Sequence, residues 1–140
     1  DLAPRPPAWA GESQWFQTDV RGFDGWKNYD VIIANLFFHH LDDGDLALLG
    51  ERIQSHARAI VCAEPARARR WQWLFRAVCL MVRANHVSRH DGHVSIAAGF
   101  RGDELPRIFG LGMPHWNSDV TVTSRGVYRL VATRSPAVSS

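Results

Sequence analysis

Two continuous apolar runs with one amphipathic stretch between them constrain this chain more than any other feature. Tyr29 to Leu36, which contains Val-Ile-Ile-Ala, and Ala59 to Ala63 each lack polar alternation, the pattern of a strand covered on both faces. Between them Asp42, Asp43 and Asp45 crowd a helix start, where carboxylates meet the positive end of the helix dipole. Leu46, Leu49 and Ile53 follow at i, i+3 and i+7, so this helix buries one face. Strand, helix and strand in that order argue for parallel pairing through a crossover.

The remaining chain extends the alternation. Residues 14–18 (Gln-Trp-Phe-Gln-Thr) read as a short strand ending at Asp19, and Phe23 to Asn28 as a short helix or turn. A long helix is expected from about Ala68 to Ala84, its stripe Trp71, Leu74, Phe75, Val78 and Val82 forming core. Trp73, Leu80 and Met81 widen that stripe, leaving an extra face that a lipid-like acceptor, a partner chain or a membrane surface could cover. Asp103 to Phe109 reads as a short helix ended by Gly110. Val120–Thr123 and Val127–Thr133 read as two strands around the turn Ser124-Arg125-Gly126. The expectation is an α/β domain over 1–134, its sheet mostly parallel with helices on both faces and closed by an antiparallel hairpin. The polar stretch 135–140 reads as a frayed tail.

Composition excludes several function classes. A chain of 140 residues with 46% hydrophobic and 21% charged residues is globular and sized for one domain. A net charge of +2 argues for no nucleic-acid partner. Cys62 and Cys79 have no metal-finger spacing and read as reduced, buried thiols. No run approaches the ~20 apolar residues of a membrane span, and a cytoplasmic setting fits best. The opening at Asp1, followed by Pro4, Pro6 and Pro7, reads as cut.

The segment Tyr29-Asp30-Val-Ile-Ile-Ala-Asn35-Leu-Phe-Phe-His39-His40-Leu41, followed by an acidic helix start, is similar to the fourth strand and loop of class I S-adenosylmethionine-dependent methyltransferases. Within that class it is nearest the small-molecule, ubiquinone/menaquinone-biosynthesis type. The strand ending in Glu64-Pro65 with arginines soon after, and the closing Tyr128-Arg129-Leu-Val-Ala, are similar too. The resemblance spans most of residues 1–134. It implies a Rossmann-like sheet of order 3-2-1-4-5-7-6 with strand 7 antiparallel, and S-adenosylmethionine as cofactor. Asp1, with Leu2 beside it, would bond the ribose hydroxyls, and Asp19 the adenine amino group with Val20 beside the ring. Asn35 and Leu36 would lie next to the methionine part. The family's glycine-rich turn should lie upstream of Asp1, because Gly110-Leu-Gly112 follows a helix rather than a strand. The first of the retained strands would then have an unpaired edge, a site for another chain or for segment 14–18.

The side chains that could carry chemistry each admit a plainer reading. His39 or His90 could act as a base toward the acceptor, since imidazole titrates near working pH, or could bond loop carbonyls. His40, Arg67 and Arg89 could contact the acceptor, or could be ordinary solvated side chains. His86, His90 and His93 hint at a metal at helical spacing, but Asp91-Gly92 reads as a turn that breaks the helix, so no metal is expected. The expected function is methyl transfer to a small apolar or aromatic acceptor. The alternative is a truncated, non-catalytic α/β module that associates with another chain or a second copy through the open sheet edge.

Overall fold

The computed structural model describes residues 4–7 and 14–136. Four strands form one open sheet: β1 (Val31–Asn35), β2 (Ala59–Pro65), β3 (Trp116–Val122) and β4 (Val127–Arg134), in spatial order β1-β2-β4-β3. β1 and β2 are parallel, Val31 opposite Ala59 and Asn35 opposite Ala63. β4 runs antiparallel to both β2 and β3. The domain is therefore α/β, but its sheet is mixed: one pair is parallel and two are antiparallel. The hairpin lies to one side of the parallel pair, its second strand next to β2 and its first at the sheet edge. β3 also begins at Trp116, upstream of the expected Val120.

The crossover joining β1 to β2 contains helix α1 (Asp43–His56). Asp42 caps it by accepting from the Asp45 N–H at 2.8 Å, and Asp43 and Asp45 stand in its first turn. Leu46, Leu49 and Ile53 are buried against Ile60, Leu130 and Ala132 of the sheet and against Phe109. Helix α4 (Glu104–Ile108) packs beside α1, closely enough that a Cβ on Gly50 would lie 2.6 Å from the Phe109 backbone. Glycine is required there for approach.

Among the described residues, only one face of the sheet is covered. Ile60, Cys62 and Glu64 alternate inward along β2, but Val61 is half exposed, as is Val131 opposite it on β4. On β1, Val31 and Ile33 are exposed, Ile33 at 78%. The second helical layer expected from the unbroken apolar runs is not found among the described residues. An apolar run specifies strand character and leaves open how many faces are covered.

Four other expectations are corrected. Residues 14–18 form no strand; they are irregular, and Phe16 packs edge-on against Phe23. The long helix ends at Met81 as α2 (Arg69–Met81), and a corner at Arg83, with φ 50°, leads to helix α3 (His86–Ala98). The proposed core stripe is mostly outside: Leu74, Val78 and Val82 are exposed, Trp71 and Phe75 half-buried, and only Cys79 is fully buried. α2 has α3 as its main neighbour, so it buries one narrow seam. Asp91-Gly92 does not break α3, because Gly92 lies under the Phe75 ring, whose Cζ would be 2.1 Å from an added Cβ. Its glycine serves helix–helix approach.

Candidate functional site

The carboxyl ends of β1 and β2 organise the most constrained polar cluster in the fold. Glu64, near the end of β2, is fully buried. Its Oε1 accepts from the N–H groups of Phe37 and Phe38, each at 2.9 Å. Its Oε2 accepts from the His39 N–H at 3.4 Å and from His39 Nδ1 at 2.7 Å. Four donors converge on one carboxylate, an arrangement that suits the ionised form, with its two acceptor oxygens. With the carboxylate as acceptor, Nδ1 is the donor of this bond, and Nε2 is the ring nitrogen outside it. The segment leaving β1 is thus held by a buried carboxyl group, with Leu36 at φ 52° at the pivot. A left-handed leucine costs on the order of 1–3 kcal/mol, which the surrounding bonds must offset. The Leu36 N–H donates to the Ala63 carbonyl at 2.8 Å.

Beside this cluster a cleft of about 640 Å³ runs along the free side of β1. It brings together Asp19, Val20, Asn35 and His40 from the sequence-derived candidates, with Phe37, Leu41 and Asp45 alongside. Asp19 caps a 3-10 turn, Val20–Gly22, by accepting from the Arg21 N–H. The Arg21 guanidinium also grips both Asp19 oxygens, at 3.0 and 2.6 Å, and reaches Asp45 at 3.3 Å. Hydrogen bonding from Arg21, side chain first and backbone second, holds the Asp19 pKa at about 2, below its usual 3.8. The carboxylate is ionised at any physiological pH. Leu36, at the pivot, is exposed but is not part of the cleft lining.

A smaller recess of about 250 Å³ adjoins it, lined by His39, His40, His90, Asp91 and Ser95. His40 lines both spaces, its ring 4.0 Å from that of His39. The two candidate bases, His39 and His90, therefore face one recess although 51 positions separate them. Arg67 and Arg89 go elsewhere: Arg67 pairs with Glu104, and Arg89 donates to the Ala84 carbonyl at 2.7 Å. Asp1 and Leu2 lie outside the described residues. Among the described residues no group of three or more His, Cys, Asp or Glu could hold a metal.

Sequence reasoning missed Glu64 and Arg21 as site residues. Glu64 was visible as a carboxylate ending an otherwise apolar strand, which inside a fold demands partners. No family model matches this chain, and no curated protein is similar enough to count as a relative.

Proposed function

We infer that the domain binds S-adenosylmethionine and takes part in methyl transfer to a small apolar or aromatic acceptor. The observation that carries this reading is the strand order. β1 and β2 parallel, with β4 antiparallel between β2 and β3, have the order and directions that strands 4, 5, 7 and 6 take in a class I methyltransferase sheet, which supports the reading. The cleft runs along β1 from Ile32 and reaches its carboxyl end at Asn35, the end of the strands at which open α/β sheets bind ligands.

The residues present suit an adenosyl group. A cleft of this volume falls within the range of small-molecule sites, and Val20, Phe37 and Leu41 supply apolar walls. Asp19 offers an ionised acceptor to an exocyclic amine, which would share an exposed bond now made by Arg21. Asn35 offers both a donor and an acceptor at the strand end. The bound cofactor would supply an electrophilic methyl group on a sulfonium.

The chain's own contribution is alignment and proton acceptance. Glu64 fixes the loop 36–40, and with it the position of His39 and His40. Holding reactants in line can contribute roughly 7–11 kcal/mol to barrier lowering. His39 Nε2, freed by the Nδ1–Glu64 bond, would take the proton of an acceptor hydroxyl, an effect of about 10²–10⁴-fold.

Calorimetric titration with S-adenosylhomocysteine tests the reading. Binding is expected, and Asp19→Ala and Asn35→Ala should each weaken it; absence of binding contradicts it. The free edge of β1, with Val31 and Ile33 exposed beside it, favours a second reading as a non-catalytic module that pairs through this edge.

A further inference from the structure

Helices α2 and α3 leave and rejoin the sheet at one place, where Ala66 bridges Phe100. The corner between them is therefore the far end of a projecting hairpin. Thirteen residues of helix at 1.5 Å each put that corner about 20 Å from the base. The corner is apolar where solvent would favour polar residues: Leu80, Met81 and Val82 are 60%, 79% and 67% exposed, and Val87 follows at 65%. Trp73 lies seven residues before Leu80, hence on the same stripe, and is also exposed.

Charge distinguishes this surface from the rest of the chain. Residues 69–98 hold five arginines (69, 70, 76, 83 and 89) and one carboxylate, Asp91. The other 110 residues hold eleven cationic and thirteen acidic side chains. An apolar tip flanked by guanidiniums, with a tryptophan further back, matches the boundary between acyl chains and anionic headgroups. Arginine stems can lie along the apolar zone while their heads reach phosphate. No helix among the described residues is long and apolar enough to cross a membrane, so the contact is peripheral.

We propose that the α2–α3 corner docks the protein on an anionic lipid bilayer, with Leu80, Met81 and Val82 inserted and Arg76 and Arg83 on the headgroups. This placement does not depend on the methyltransferase reading.

The test is co-sedimentation of the 140-residue chain with phosphatidylglycerol vesicles and with phosphatidylcholine vesicles. Binding is expected to the anionic vesicles, to weaken with added salt, and to fall at least about tenfold in Leu80→Asp/Met81→Asp. Arg76→Gln and Arg83→Gln should each lower it about fivefold at low salt. Lipids brominated on the acyl chains should quench tryptophan fluorescence less in Trp73→Phe than in the parent. Because these side chains are exposed, far-UV circular dichroism should be unchanged in every variant. Three results would overturn the proposal. One is no binding to anionic vesicles, and another is binding indifferent to the aspartate pair. The third is concentration-dependent self-association abolished by that pair, which would assign the surface to a second copy.

Discussion

With three backbone N–H groups and a histidine ring directed at one buried carboxylate, Glu64 has no neutral substitute. Glu64→Gln turns a donor toward donors that now meet an acceptor. The expected cost is about 1.5–3 kcal/mol in urea unfolding, and a loss below about 0.5 kcal/mol would contradict the network. Cys62 gives a pH test. Burial first, and the Glu64 charge second, push its thiol up to about 12 from 9.0. A raised folded value means the thiol's contribution is intact below the unfolded pKa and is lost as pH rises from about 9 toward 12. Stability should therefore decline less steeply over that alkaline range in Cys62→Ala, measured by unfolding at pH 8 and pH 10.5. An unchanged slope would contradict the buried placement. At this scale the sequence shows that Glu64 and His39 are present, but their pairing spans 25 positions and depends on two strands lying side by side.

Helix α1 was readable because its signals are local: three aspartates at the start and an apolar stripe within two turns. The α2–α3 hairpin was not, because Gly92 answers to the Phe75 ring, which approaches from another helix. That difference is measurable. In an exposed helix, Gly→Ala gains about 0.8–1 kcal/mol. Gly92→Ala should instead destabilise the parent protein and become stabilising only once Phe75→Ala has removed the ring. Gly50→Ala has no such rescue, since backbone of Phe109 stands in the way. It should cost about 1–3 kcal/mol in the same unfolding assay.

The one-sided sheet sets the energetics of the molecule. Ile60→Ala on the covered face should cost about 2–5 kcal/mol. Ile33→Lys on the bare face should shift stability by no more than about 0.5 kcal/mol. Equal costs would mean that both faces are packed. The apolar runs of β1 and β2 specified strands and a parallel pair, as read; the layering above them depends on which helices reach the sheet. The cleft follows the same rule. Asp19, Val20 and Asn35 meet only because a capped 3-10 turn and a strand end share one rim. Whether that rim holds an adenosyl group is best tested by an amide NMR titration with S-adenosylhomocysteine. Shifts confined to Asp19–Arg21 and Asn35–His40 are the expected result; no shifts, or shifts restricted to α2 and α3, would contradict the account.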